Sequence, residues 1–393
     1  MVRLTLLLVW SGFFLRLVIA FLNGFVGPTF GASADSLGFH LMAVEYSQTL
    51  AVDGFILTQI YTYFLTIIYF ITTDSLFLGC AISALGWLAS AFILLRIMRI
   101  LSFKRSIQWK VMLIYALIPT SLMYTGITLR EPFQLLFINL ALYAALKIYF
   151  HRSNAHWFVL LLAVVGMGAM HGALIVSGIF IIVGTLFLIT SRNRKGVSFT
   201  KVILITPFVI LFLFYGFLSF MNFTTYGDRL DDGLALAVQA YQEGTLSDAY
   251  DSRANYRSEV VKTDGLGGLI LSVPSFLLQY LFEPMPWNIS SIVDLVALLE
   301  NMLRFWLIWN ALKYLVGSYL KKPMFVAHNY FGYERCILLI FLSYLLIETI
   351  WSLGTSNWGT ATRHHLPSLG ILLVIGFAYQ NVISSKYNRS HKP

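Results

Sequence analysis

The sequence predicts an all-α polytopic membrane protein with about ten transmembrane helices. Hydrophobic residues make up 58% of the 393 residues and charged residues only 11%, which leaves too little polar surface for a soluble protein of this length. Apolar runs long enough to cross a bilayer recur along the chain. Acidic and basic residues also separate onto alternate loops, which is typical of segments joined by spans.

The predicted spans form a single transmembrane domain over residues 1–393. Two further apolar segments, 55–73 and 265–282, are ambiguous, because counting both as spans would put the basic clusters on opposite sides. We therefore place them at the outer interface, or as re-entrant segments, within the outer loops 27–73 and 222–290. The ten predicted spans are 4–26, 76–100, 109–126, 132–150, 157–168, 173–191, 201–221, 291–315, 335–354 and 366–385.

The charge distribution predicts the orientation. Both termini and every basic cluster are cytoplasmic in this arrangement, and nearly all carboxylates lie outside. Lys and Arg beside anionic membrane lipids are the ordinary orientation signal, so the net charge of +9 requires no nucleic-acid partner. The two cysteines, Cys80 and Cys336, fall inside apolar runs and predict neither a disulfide nor a cysteine metal site.

The first outer loop contains a candidate catalytic carboxylate. Helical spacing puts Asp35, Phe39 and Ala43 on one face, so a short interfacial helix would aim Asp35 into a cavity. The carboxylate would act as a general base toward an acceptor hydroxyl or bind a divalent cation. The alternative is that Asp35 only caps the helix. His40 and Glu45 in the same segment are predicted to bind substrate.

Two short outer turns contribute further candidates. Arg130 and Glu131 precede Pro132 at the start of a span, where they would hold a lipid-linked phosphate and supply a second acidic group. An interfacial ion pair at a helix N-terminus is the alternative. His171 ends a glycine-rich break at 166–172 and would contact phosphate, although glycine-mediated helix packing explains the same pattern.

The late outer loops carry more cationic and aromatic residues. Tyr256 and Arg257 in the long loop suit sugar and phosphate recognition, although solvated helices also explain them. Arg363, His364 and His365 form a candidate anion clamp before the last span, with interfacial anchoring as the alternative.

Several charges lie inside the apolar segments themselves. Glu300 and Arg304 are four residues apart, with Asp294 on the same segment, and they predict a structural ion pair. Arg16 and Glu348, in the first and ninth spans, are expected to have similar structural roles. None of these residues is therefore a predicted site residue.

Four of these motifs resemble GT-C glycosyltransferases, which use polyprenyl-phosphate sugars and include protein mannosyltransferases and the bacterial aminoarabinose transferase. Asp35 followed by Phe39 and Ala43 resembles the first outer loop of that family. The turn 129–132 is similar to its second outer loop, and 168–172 to a short loop with a basic residue. Residues 363–367 are similar to the Arg-Tyr/His-x-x-Pro that opens a late span in many bacterial members.

The resemblance implies a GT-C-like bundle that transfers a sugar from a polyprenyl-phosphate carrier to a glycan or glycolipid acceptor, outside the bacterial plasma membrane. It implies that Asp35 is catalytic and that arginines lie near the carrier phosphate, and we place Glu131 as a second acid. Ser36 stands where several members have another acid, which leaves a divalent cation (Mg²⁺ or Mn²⁺) at Asp35 an open expectation. The predicted ligands of carrier and acceptor are Arg130, His171, Tyr256, Arg257, Arg363 and His364.

Two other functions fit the same surface. A polysaccharide polymerase or ligase that uses a diphosphate-linked oligosaccharide would also need outer arginines, but it would depend less on Asp35. A lipid-linked glycan flippase or transporter should show substrate groups near the midplane and related halves, whereas the polar groups here collect at the outer boundary.

Overall fold

A computed structural model describes residues 2–27, 33–49, 59–192, 254–256, 265–320 and 332–390. These residues form helices and connections without a β-strand, apart from an isolated bridge between Asn255 and Asn357. The helices are α1 (Val2–Phe21), extended by a π-helical turn (Leu22–Val26), α2 (Ser33–Thr49), α3 (Ile60–Ile71), α4 (Leu76–Ile100), α5 (Arg105–Leu117), α6 (Pro119–Thr125), α7 (Glu131–His151), α8 (Ala155–Met170), α9 (Leu174–Arg192), α10 (Gly265–Phe282), α11 (Ile292–Tyr319), α12 (Tyr333–Gly354), α13 (Trp358–His364) and α14 (Leu369–Ser390).

Four helical segments in the described ranges are long and apolar enough to cross a membrane: α1 with its π-helical turn, α4, α7 and α12. A fifth is added if α13 and α14, which meet at 74°, count as one broken span. These segments fit an α-helical integral membrane protein. The expected general class is therefore supported by the structure.

The described helices do not support the predicted count of about ten spans. The predicted span 109–126 is divided, because Pro119 begins a separate seven-residue helix after α5 ends at Leu117. α3 and α8, of 12 and 16 residues, are shorter than the roughly 20 residues that a span needs. α11 is long enough at 28 residues but carries three ionisable residues along its buried face. The predicted span 201–221 lies outside the described residues.

α7 packs against both α4 and α8, and a glycine contact shapes its interface with α8. α8 continues through the glycine-rich segment that the sequence indicated as a break, and it ends at Met170. A Cβ atom on Gly166 would lie 2.6 Å from the ring of Phe137 on α7, so a larger residue here would displace that ring. The packing fixes the end of α8, and with it His171, beside the start of α7.

Charges inside the helices are not arranged as predicted. Glu300 accepts hydrogen bonds from the backbone N–H and the hydroxyl of Thr120, at 3.0 and 2.6 Å. Arg304 instead donates to the carbonyl of Leu281 and to Asn301. The predicted Glu300–Arg304 ion pair is therefore wrong, because Glu300 is bonded to Thr120 of another helix and Arg304 to Leu281 and Asn301.

Candidate functional site

Three charged side chains from distant parts of the chain meet at the end of the bundle where α7 begins. Arg363, in the last turn of α13, donates a hydrogen bond from Nη1 to Oδ2 of Asp35 on α2. Its Nε lies 3.0 Å from Oε1 of Glu131, within ion-pair distance but off the line of a hydrogen bond. One guanidinium therefore joins two carboxylates that are remote in sequence. We call Asp35, Glu131 and Arg363 the charged triad.

The environments of the two carboxylates differ sharply. The Asp35 side chain is 55% exposed, whereas that of Glu131 is 3% exposed. Oε2 of Glu131 has no hydrogen-bond partner among the described residues. The Asp35 carboxylate is therefore accessible to solvent, whereas the Glu131 carboxylate is enclosed beside Arg363.

Local sequence explains why each residue of the charged triad stands where it does. Glu131 and Pro132 open α7, where an acidic side chain and a missing N–H both suit the first turn. Asn357 caps α13 by accepting a hydrogen bond of 2.7 Å from the N–H of Thr360, which brings Arg363 into the last turn. Asp35 lies in the first turn of α2, and its described hydrogen bond is to Arg363.

Two histidines flank a tryptophan beside the charged triad. The ring of His364 stacks on Trp351 of α12, with centroids 4.1 Å apart and planes at 22°. His171 meets Trp351 edge to face at 4.4 Å. Nδ1 of His364 lies 3.1 Å from the hydroxyl of Thr355, at the end of α12. Trp351 thus holds two predicted phosphate ligands close together.

The arginines and His171 share one electrostatic environment. Burial lowers the pKa of His171 well below its usual range, and the charges of Arg130 and Arg363 lower it further. His171 is therefore a neutral imidazole near pH 7. The half-buried Arg130 places its guanidinium carbon 5.7 Å from the ring centroid of Phe39 on α2. The cluster holds two permanent cations, two carboxylates and a neutral imidazole.

Other predicted ligands lie outside this cluster. Nδ1 of His40 is 3.0 Å from the hydroxyl of Tyr69, and burial lowers the pKa of His40. Glu45 is exposed on α2. Tyr256 donates from its hydroxyl to the carbonyl of Thr355 at 2.7 Å, which joins it to the partner of His364. Arg257 lies outside the described residues.

The described residues offer no group of three or more His, Cys, Asp or Glu side chains that fits a metal ion. Asp35 and Glu131 are both turned toward Arg363. This single guanidinium offsets only part of the charge of the two carboxylates.

Two features of the site were not predicted from the sequence. Trp351 falls within a predicted apolar span, and for Glu348 the sequence predicts only a structural role. Glu348, Trp351 and Thr355 nevertheless follow the i, i+3, i+7 spacing that puts side chains on one face of a helix. A polar stripe of that spacing inside an apolar run is the signal that could have located them.

Comparison of the chain with protein-family models, with curated proteins and with solved structures finds no match.

Proposed function

We propose that this chain is a membrane glycosyltransferase of GT-C type, which transfers a sugar from a polyprenyl-phosphate carrier to a glycan or glycolipid acceptor outside the bacterial plasma membrane. The observation that carries the proposal is the charged triad. An exposed carboxylate, Asp35, lies against an arginine that a buried carboxylate, Glu131, holds from behind. A base and an anion-binding cation are thus adjacent at the end of an apolar helical bundle.

The chemistry needs both members of that pair. Asp35 removes the proton from the acceptor hydroxyl as its oxygen forms a bond to the anomeric carbon of the sugar. The bond between that carbon and the phosphate oxygen breaks, and its electron pair leaves with the carrier phosphate. Arg363 and Arg130 stabilise the negative charge that develops there. Attack opposite the leaving phosphate inverts the configuration of the sugar.

The contact between Arg363 and Asp35 also links donor binding to base activation. Asp35 accepts a hydrogen bond from Arg363, the guanidinium that the carrier phosphate would also bind. Donor binding would therefore release Oδ2 of Asp35 to receive the proton of the acceptor hydroxyl.

The test compares two exposed aspartates. Wild type, Asp35→Asn and Asp74→Asn are purified with native lipid, and both carrier binding and turnover of lipid-linked sugar are measured. We expect Asp35→Asn to bind the carrier and to lose turnover by a factor of about 100 or more, as for a removed general base. Asp74 is exposed and is 3.5 Å from the amide of Gln48 rather than in the charged triad, so Asp74→Asn should retain turnover.

Two results would overturn the proposal. Turnover that survives in Asp35→Asn, with a preference for diphosphate-linked oligosaccharide, would support a polymerase or ligase. Movement of lipid-linked glycan across vesicles by wild type, without cleavage, would support a flippase.

A further inference from the structure

Glu348 joins α12 to both ends of the connector between α13 and α14. Its Oε2 lies 2.6 Å from Nδ1 of His365, the first connector residue. Its Oε1 accepts a hydrogen bond from the hydroxyl of Ser368, the last connector residue. The Glu348 and His365 side chains are 0% and 6% exposed, so water does not compete for these contacts. One carboxylate therefore fixes the connector at which the chain bends by 74°.

Hydrogen-bond chemistry determines the proton content of this pair. Nε2 of His365 lies 3.2 Å from the backbone carbonyl oxygen of Tyr280, which can only accept. Nε2 therefore carries a proton, and Nδ1 shares another with Oε2 of Glu348. Neutral imidazole with carboxylic acid, and imidazolium with carboxylate, are the two forms of the same arrangement. Both have no net charge, which a buried site strongly favours.

The connector also sets the direction of Arg363, which lies two residues before His365. Trp351 and Thr355 hold the intervening His364 from the face of α12 that carries Glu348. Three successive contacts along one helix thus support the end of α13. Within the described residues, Arg363 receives its opposing support from Asp35 and Glu131.

We propose that Glu348 and His365 are positioning residues, whose shared-proton pair locks the α13–α14 bend and so aims Arg363 at the two carboxylates of the charged triad. The effect on carrier turnover rests on the glycosyltransferase function proposed above. The effect on the conformation of α13 does not depend on it.

A proton-relay role for the same pair makes a different prediction. Tyr280 and Tyr344 place buried hydroxyl groups in the electrostatic range of Glu348, and neither hydroxyl has a hydrogen-bond partner among the described residues. A relay requires a carboxylate that gives up its proton. Positioning requires only a donor toward Nδ1 and an acceptor toward Ser368, which the amide of Glu348→Gln also provides.

The experiment uses the full-length protein in lipid nanodiscs and compares Glu348→Gln with Glu348→Ala. Hydrogen–deuterium exchange is followed in peptides covering 355–369, and carrier KM and kcat are measured in parallel. Ser90→Ala is the control, because its hydroxyl lies 2.8 Å both from the hydroxyl of Tyr115 and from the amide of Asn139, on helices α5 and α7. It removes buried hydrogen bonds without touching α12 or the connector.

We expect Glu348→Ala to raise exchange across 355–369 and to lower kcat/KM by about 100-fold, as for a misplaced binding group. Glu348→Gln should retain wild-type exchange and most of the turnover. Ser90→Ala should leave exchange in 355–369 unchanged, even if its melting temperature falls.

Unchanged exchange in Glu348→Ala would overturn the inference. Wild-type exchange combined with lost turnover in Glu348→Gln would also overturn it, in favour of a proton relay. If the exchange results follow expectation while wild type neither binds nor cleaves the carrier, the positioning of Arg363 stands and the glycosyltransferase function fails.

Discussion

Two arginines in this protein show how the same side chain serves two purposes. Arg16 on α1 is fully buried, and it donates to the hydroxyls of Thr125 and Ser121 at 2.6 and 3.0 Å. It also donates to the carbonyls of Gly12 and Ala116 at 2.8 and 3.0 Å. All these acceptors are uncharged. Arg363, by contrast, has two carboxylate partners and retains 19% side-chain exposure.

The difference indicates which arginine can exchange its ligands. The guanidinium carbon of Arg16 also lies 3.5 Å from the ring centroid of Trp87. Protein groups therefore contact both the N–H donors and one face of this guanidinium. An incoming anion would have to break a buried network to reach it. Arg363 needs only to exchange the exposed carboxylate of Asp35 for a phosphate, and both of these groups are negatively charged. Under the proposed function, Arg16 with its neutral acceptors is therefore the structural arginine, and Arg363 with its partly exposed ionic partners is the one that binds the carrier phosphate.

Arg363→Met should have the largest effect on this comparison. We expect kcat/KM to fall by about 100- to 1,000-fold, as when a transition-state donor is removed. The protein should also lose about 3 to 5 kcal/mol of stability, because Glu131 becomes a buried carboxylate without a partner. Steady-state kinetics and thermal unfolding measure the two effects.

The double variant Glu131→Gln/Arg363→Met separates these effects. Removing the unpaired charge should recover most of the melting temperature but none of the activity. Recovered turnover would show that Arg363 only neutralises Glu131. Arg363 would then be a structural residue, as Arg16 is.

Arg16→Met should produce the opposite pattern, with a loss of stability and a smaller change in kcat/KM than Arg363→Met. Two side-chain hydroxyls and two carbonyls lose their donor, and the cost is about 1 to 3 kcal/mol for each group left unsatisfied in the bundle. We expect a lower melting temperature and lower yield, whereas kcat/KM of the folded fraction changes less than about threefold. A loss of carrier affinity without a loss of stability would contradict the structural role.

His171→Asn should have the smallest effect, seen as a change in pH dependence. Burial lowers the pKa of His171 below its value in the unfolded chain, so only the unfolded chain takes up the proton as the pH falls below about 6.5. Wild type therefore loses stability toward acidic pH through this group. The drop in melting temperature between about pH 8 and about pH 5.5 should be smaller in His171→Asn.

The control for that measurement is His151→Asn, at the exposed end of α7. It should show the same acid-dependent drop as wild type. Equal drops in all three proteins would show that His171 is not kept neutral by the fold.

Local pattern predicted most helices, because span length and apolarity are properties of short segments. The segment 76–100 agrees with α4, and 335–354 agrees with α12 to within two residues. The span count failed where a single residue changed the backbone: Pro119 starts a new helix that periodicity alone does not separate from α5. α11 is long enough to span a membrane, but its charged residues make it less apolar than the spans.

The candidate site could be predicted only in parts. Asp35, Glu131 and Arg363 each stood out in a local motif, but Asp35 and Arg363 are separated by 328 positions in the sequence. No periodicity specifies a contact over that distance. His364 and His365 were considered together, yet they bind Thr355 and Glu348 respectively, because neighbouring side chains on a helix diverge.

The separation of 328 positions has a consequence for the timing of biosynthesis. At about 5 to 20 residues per second, the ribosome needs roughly 16 to 66 s to proceed from Asp35 to Arg363. From the synthesis of Glu131 onward, that carboxylate exists without its cation. The α7 N-terminus therefore cannot reach its final dry environment until Arg363 has been synthesised. Maturation of this site is a late event of synthesis, and a chain stopped before α13 should insert but remain unfinished at this end.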